Sequence, residues 1–91
     1  MQVEEIFISE AVENKLFTKH GVTPDEVEDL FWYSGYKVLI RRTRESRYEA
    51  FGRTTSGRYL TVVFARKDRA GIRILTARDM SKAERRRYRG G

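Results

Sequence analysis

With 91 residues, of which 40% are hydrophobic and 12% aromatic, the chain can form one folded domain with a modest core, and we expect residues 1–91 to be that domain. It has no cysteine and one histidine, which excludes disulfides, thiolate catalysis and cysteine-bound metals and argues against a dedicated zinc site. The net charge of +6 is uneven, because residues 1–32 have a net charge of −6 and residues 33–91 of +12. Such a basic region favours a polyanionic partner.

The first third of the chain predicts a short strand and two helices. Residues 3–8 form an apolar stretch typical of an edge strand. A helix over residues 9–20 begins at a capping serine and ends where Gly21 can adopt the left-handed conformation. A second helix over residues 23–31 begins with the capping box Thr-Pro-Asp-Glu, and Gly35 ends the region.

The rest of the chain predicts a sheet followed by a helix. Alternating polarity predicts four strands, at residues 36–42, 47–54, 59–66 and 72–77. The third of these is apolar on both faces, so we place it centrally. A capping box from Ser81 to Glu84 opens an arginine-rich helix, and Gly90 and Gly91 are expected to fray. The predicted class is α+β, in the order β-α-α-β-β-β-β-α, with a central antiparallel sheet packed by helices.

Apolar runs in this chain are too short to cross a bilayer, and no signal-peptide pattern opens it. We therefore expect a cytoplasmic protein without a membrane partner.

Several blocks of the sequence resemble the BrnT family of toxins. The similarity covers about residues 5–88, and its strength is that the blocks occur in the family's order and spacing. The chain departs from the family at Ile8-Ser9, where a Trp-Asp pair is common. The blocks are residues 19–31, the hairpin strands 47–54 and 57–64, and residues 72–80 followed by Glu84 and Tyr88.

The resemblance implies a RelE-like fold and RNA cleavage that inhibits translation. It also implies a partner, an antitoxin of the BrnA type with a ribbon-helix-helix part, through which the pair would bind operator DNA. No cofactor and no metal ion are expected.

RNA cleavage without a metal requires a base for the 2′-hydroxyl, positive charge at the phosphate and an acid for the leaving oxygen. The predicted strand at residues 47–54 supplies one set of candidates. Because side chains alternate along a strand, one face carries Arg47, Glu49, Phe51 and Arg53 and the other Tyr48 and Ala50. The first face can hold a phosphate and stack a base, or it can be only a solvated row of paired charges.

Four further candidates each have a structural alternative. Arg78 precedes a capped helix, where it can stabilise a phosphate or pair with Asp79 or Glu84. Glu84 and Tyr88 share one helical face and can act as base and acid, or serve the capping box and the core edge. His20 has a pKa suited to proton transfer, but its place at a helix end favours binding a carbonyl or the helix dipole.

We therefore expect catalytic residues among Arg47, Arg53, Arg78, Glu84, Tyr88 and His20, and RNA contacts from Phe51, Arg58, Arg73, Arg85 and Arg86. A magnesium site at the carboxylates of residues 25–29 is disfavoured, because hard cations need carboxylates converging from several elements. The main alternative is a non-catalytic module that binds nucleic acid or protein through the same basic face. An RNA-modifying or DNA-cleaving enzyme would need metal ligands or glycine-rich cofactor loops that the sequence lacks.

Overall fold

The computed structural model describes residues 2–90, and the predicted order of elements is confirmed. A π-helical turn (Asp29–Tyr33), closed by a hydrogen bond from Ser34 N to Asp29 O, continues the second helix. The elements are β1 (Glu5–Phe7), α1 (Glu10–His20), α2 (Pro24–Glu28), β2 (Leu39–Arg44), β3 (Arg47–Arg53), β4 (Tyr59–Arg66), β5 (Gly71–Asp79) and α3 (Lys82–Gly90).

The five strands form one sheet in the order β1-β5-β4-β3-β2. Strands β2 to β5 are antiparallel neighbours, and β4 lies at the centre as expected. The central strands are therefore antiparallel as predicted, and β1 is added at the edge, where it pairs with β5 in parallel. Parallel pairing needs a long connection, and here all of α1 to β4 lies between the two strands.

The local signals for helix ends are confirmed. The Ser9 side chain accepts a hydrogen bond from Val12 N, and Gly21 ends α1 with a φ of 63°. Thr23 and Glu26 exchange both bonds of the capping box at α2. At α3, Ser81 N donates to the Glu84 carboxylate while Glu84 N donates to the Ser81 hydroxyl.

Several boundaries differ from the sequence-based prediction: β1 is shorter, β5 is longer, and β2 begins and ends later than expected. Before Leu39, the first residue of β2, the backbone has other partners: Tyr36 N donates to the Ser34 hydroxyl, and the Tyr88 hydroxyl donates to Lys37 O. Gly90 is the last residue of α3 and Gly91 lies outside the described residues, so the expected fraying of this end stays a prediction. No helix within residues 2–90 is long and apolar enough to span a membrane.

The inner face of the sheet packs on α1, α2 and the π-helical turn. Leu16 and Val27 are completely buried there against Val62 and Phe64 of β4. Tyr48 stacks on Phe64 with ring centroids 5.4 Å apart. Burying this set of large side chains supplies the main apolar stabilisation of the fold.

The opposite face of the sheet, here called the outer face, is partly covered by α3. The register places Arg47, Glu49, Phe51 and Arg53 on it, as predicted, with Tyr48 and Ala50 on the inner side. Beside them, the same register brings side chains of three other strands to the outer face: Leu39 and Arg41 of β2, Tyr59, Thr61, Val63 and Ala65 of β4, and Arg73, Thr76 and Arg78 of β5.

Candidate functional site: a basic outer face

An ion pair between Arg78 of β5 and Glu84 of α3 lies at the edge where the helix meets the sheet. Two parallel hydrogen bonds join them, from Nη1 to Oε1 at 2.8 Å and from Nη2 to Oε2 at 2.9 Å. Glu84 Oε1 also accepts from the Thr61 hydroxyl and from Ser81 N, each within about 3.0 Å. These bonds, led by Arg78, lower the pKa of Glu84 to about 2, so it is fully ionised at neutral pH.

The Arg78 guanidinium keeps part of its donor set unused. Its Nη1 donates to Asp79 O as well as to Glu84, and its Nη2 makes one bond to Glu84. Within residues 2–90, Nε–H and the second Nη2–H have no protein acceptor. These two N–H groups point to the same side of the guanidinium, which is the geometry of a bidentate phosphate contact.

A second ion pair, between Arg41 and Glu49, lies on the neighbouring strands. Glu49 faces Arg41 across the β2–β3 ladder, and their side chains form a short hydrogen bond. The Glu49 side chain is only 16% exposed. Hydrogen bonds to Glu84 raise the pKa of Arg78, and the charge of Glu49, which lies on the same face two strands away, adds to this effect.

Arg47 and Arg73 flank this arrangement. They lie on either side of Ala65 in one row across β3, β4 and β5, and both are exposed. Neither has an ion-pair partner among the described residues. Arg47 and Arg73 are thus unpaired cations beside the two ion pairs of the outer face.

Arginine and tyrosine side chains alternate at the corner of the outer face next to the β3–β4 turn. The Arg53 guanidinium carbon lies 4.3 Å from the ring centroid of Tyr36 and 5.7 Å from that of Tyr59. Arg85 of α3 lies 4.4 Å from the Tyr59 centroid. From here on, these four residues are called the arginine–tyrosine stack.

Arg53 is unusual within this stack because its polar edge has no partner. Its Nε is buried without a hydrogen bond, and within residues 2–90 no carboxylate pairs with its guanidinium. An unsatisfied buried donor costs about 1–3 kcal/mol. A buried donor of this kind requires an explanation, such as strain, a functional role, or a bound water or ion.

The basic residues of α3 divide between two sides of the helix. Lys82, Arg85, Arg86 and Arg89 line one open groove, as their spacing of three and four residues requires. Arg87 instead lines a small cavity under the helix, together with Phe51 and Tyr88. The groove residues form a strip of positive charge that continues from the arginine–tyrosine stack.

Arg58, which is expected from the sequence to contact RNA, is fully engaged by partners within the protein. All five of its N–H groups have acceptors: Nε and Nη2 bind Asp79, Nη1 binds Gly21 O and Glu26, and Nη2 also binds His20 O. No donor remains for RNA. Arg58 instead ties the end of α1, the start of α2 and the end of β5 together, and these contacts raise its pKa.

Two other predicted residues are engaged in packing, and His20 lies on the other side of the sheet. Phe51 is 8% exposed beneath α3, so no base can stack on it in this arrangement. Tyr88 is 5% exposed, its hydroxyl donates to Lys37 O at 2.7 Å, and burial raises its pKa. His20 belongs to α1 on the inner side, and its ring makes no hydrogen bond or ion pair within the described chain.

The sequence reasoning did not include Arg41, Thr61 or the role of Glu49 among the site residues. Glu49 was on the predicted face, but its partner Arg41 became apparent only from the β2–β3 register. Thr61 lay hidden in the most apolar strand, where a buried threonine signals a polar partner. The binary pattern of β4 could have identified it.

The chain is thus a small α+β protein with a mixed sheet whose outer face is basic. A family model described as "Ribonuclease toxin, BrnT, of type II toxin-antitoxin system" matches residues 10–84. The chain therefore belongs to the BrnT family of ribonuclease toxins.

The fold agrees with a solved structure. The 1.1 Å crystal structure of the Brucella abortus ribonuclease toxin, BrnT, matches with a TM-score of 0.71 at 17% sequence identity. The match covers 88% of this chain and 100% of that chain. At this identity the likeness establishes the fold alone. No curated protein matches the sequence significantly.

Proposed function

We propose that this chain cleaves RNA without a metal ion, in the cytoplasm, at the outer face, and that Arg78 holds the scissile phosphate. The observation that carries the proposal is the hydrogen bonding of the Arg78 guanidinium. Glu84 fixes its guanidinium through two bonds, while Nε–H and one Nη2–H remain without an acceptor. A preorganised donor pair of this kind stabilises the charge that develops on a phosphate during cleavage.

The proposed reaction is an attack by the RNA on its own backbone. Glu49 takes the proton of the 2′-hydroxyl, a bond forms between the 2′-oxygen and phosphorus, and the bond to the 5′-oxygen breaks. The 5′-oxygen takes a proton from water, so the products are a 2′,3′-cyclic phosphate and a 5′-hydroxyl. Glu49 is suited to this role because Arg41 binds only its Oε1 and leaves Oε2 available.

The same geometry gives Glu84 and Tyr88 supporting roles. Glu84 is ionised and accepts four hydrogen bonds, so it positions Arg78 instead of transferring a proton. Tyr88 anchors α3 through its bond to Lys37 O. Arg47 and Arg73 are exposed and contact the phosphates on either side of the cleaved one.

Metal independence is supported by the placement of the acidic residues. Across residues 2–90, no three His, Cys, Asp or Glu side chains come together as a set that could hold a metal ion. Both carboxylates of the outer face are already paired with arginine. Positive charge at the phosphate therefore comes from guanidinium groups.

The proposed partner is an antitoxin of the BrnA type. Membership of a type II toxin–antitoxin family implies an antitoxin, and the basic outer face fits an acidic segment that covers Arg78. A ribbon-helix-helix part on that antitoxin would carry the pair to its operator DNA. The toxin itself contacts RNA in the free state and the antitoxin in the neutralised state.

The test is cleavage of total RNA by the purified chain in EDTA. We expect cleavage by the native protein, with cyclic-phosphate and 5′-hydroxyl ends, and a loss of at least 100-fold in Arg78→Ala and Glu49→Gln. Arg69→Ala is the matched control, because it removes the same charge from the exposed β4–β5 turn.

The alternative is a non-catalytic binding module, favoured by the burial of Tyr88 and the pairing of Glu84. If the purified chain cuts nothing, translating ribosomes are added. Cleavage that then depends on Arg78 supports a ribosome-dependent nuclease. RNA binding with no cleavage under either condition would overturn the proposal in favour of the module.

A further inference from the structure

The arginine–tyrosine stack is the neighbour of the Arg78 site along β4. Tyr59 and Thr61 are two residues apart on β4 and share the outer face, so they are about 7 Å apart along the strand. Thr61 binds Glu84 at the Arg78 site, whereas Tyr59 contacts Arg53 and Arg85. This separation suits the step from one nucleotide to the next in an extended strand.

The stack is held in place from below. Tyr88 packs edge-on against Tyr59, with ring centroids 5.9 Å apart. The hydroxyl of the same Tyr88 binds Lys37 O, next to Tyr36 in sequence. Tyr59 and the segment that carries Tyr36 therefore share one buried anchor, which fixes the spacing of the two rings.

The surface of the stack is open to a ligand. Tyr36 is 45% exposed, and its ring has Arg53 as its stacking partner. An exposed aromatic ring backed by a guanidinium is a platform for an unpaired base.

The arginines of the stack have N–H donors and positive charge that an anion can bind. The rings occupy the faces of the Arg53 guanidinium, while its N–H edge lacks any acceptor among the described residues. Arg85 also has no carboxylate partner there. A phosphate next to a stacked base would supply an acceptor for the Nη groups of Arg53, which have no acceptor among the described residues, and a counter-charge for Arg85.

We propose that Tyr36, Arg53, Tyr59 and Arg85 form a binding subsite for one unpaired nucleotide, with its base stacked on Tyr36 and its phosphate held by Arg53 and Arg85. The subsite restricts the substrate to single-stranded RNA, because a base inside a duplex is already stacked and cannot reach the ring. Beyond the arginine–tyrosine stack, the RNA strand continues along the basic strip of α3. This inference rests on the proposed function for its choice of RNA.

The experiment measures binding of a 2′-O-methyl oligonucleotide, which cannot be cleaved, by fluorescence anisotropy. We expect Tyr36→Ala to weaken binding about 10-fold, because base–aromatic stacking is lost, and Tyr36→Phe to bind as the native chain does. Tyr33→Ala is the control: Tyr33 is 71% exposed and contacts only Trp32 among aromatic rings, so no change is expected.

Two further readouts separate this subsite from a general charge effect and from the cleavage reaction. A duplex of the same sequence should bind at least 10-fold more weakly and should not respond to Tyr36→Ala. In cleavage, Tyr36→Ala should raise KM with kcat nearly unchanged.

The two proposals can fail separately. Tight single-strand binding that depends on Tyr36, without any cleavage, would retain the subsite and remove the nuclease proposal. Cleavage that depends on Arg78, with Tyr36→Ala equal to the native chain in binding, would overturn the subsite. Equal losses in the Tyr36→Ala and Tyr33→Ala variants would also overturn it.

Discussion

Arg78 and Glu84 share two parallel hydrogen bonds across the junction of β5 and α3. The pairing fixes the orientation of an arginine whose remaining donors face outwards. It also links the stability of α3 to the ionisation of one carboxylate, because Glu84 is at the same time the reciprocal cap of that helix.

This link predicts a pH-dependent effect of Glu84→Gln. The folded-state pKa of about 2 lies below the ordinary glutamate value, so ionised Glu84 stabilises the fold above about pH 4.5 and loses this effect as the pH falls toward 2. We expect the variant to lose about 2–3 kcal/mol of unfolding free energy at pH 7 and roughly half as much at pH 3. Urea unfolding at several pH values measures the difference. Glu45→Gln, in an exposed turn, is the control, and a pH-independent loss in Glu84→Gln would contradict the assignment.

The saturated donors of Arg58 predict a structural role without a role in RNA binding. Arg58→Ala leaves Glu26, Asp79 and two carbonyl groups without their partner, and we expect a loss of about 2–3 kcal/mol in unfolding free energy. Arg86→Ala, on the exposed strip, should change stability by less than about 0.5 kcal/mol. Denaturant titration checks both. A stable Arg58→Ala protein with weakened RNA binding would restore the sequence-based prediction.

Tyr88→Phe distinguishes anchoring from acid–base catalysis. The change removes one buried hydrogen bond to Lys37 O and keeps the ring, so we expect a loss of about 1 kcal/mol in stability and cleavage within a few-fold of the native rate. Single-turnover cleavage beside thermal unfolding tests this. A 100-fold loss of rate in a well-folded variant would show that the phenol transfers a proton.

The core has no room for a larger side chain at Gly52 of β3. A Cβ at this position would lie 2.7 Å from Leu30 Cγ, so Gly52→Ala should cost about 1–3 kcal/mol through overpacking. Gly90→Ala is the matched change, because nothing lies within 4 Å of a Cβ there and alanine favours the helix. Melting temperatures of the two variants should move in opposite directions. Equal melting temperatures would mean that Leu30 repacks at no cost.

Sequence predicted those features that depend on neighbouring residues. The caps of α1, α2 and α3 each join residues three apart, and the alternation of β3 assigns Arg47 and Tyr48 to opposite faces without any tertiary information. Local hydrogen bonds and side-chain period decide these features, and both are visible in the chain itself.

Features that depend on distant partners were not predictable in the same way. Arg58 binds His20 and Glu26, which precede it by 38 and 32 residues. The local sequence of the hairpin turn therefore could not predict that its donors are all occupied. The Arg41–Glu49 pair depends on the register of β2 against β3. Burial of Phe51 depends on where α3 lies.

The parallel pairing of β1 with β5 also sets the order in which a growing chain can mature. Glu5 and Gly71 are register partners, so β1 emerges from the ribosome long before its place in the sheet exists. Arg78 lies on β5 itself and Glu84 follows it, so the Arg78–Glu84 ion pair cannot form in a nascent chain until both have been synthesised. Translation therefore proceeds past most of the fold before this pair can form.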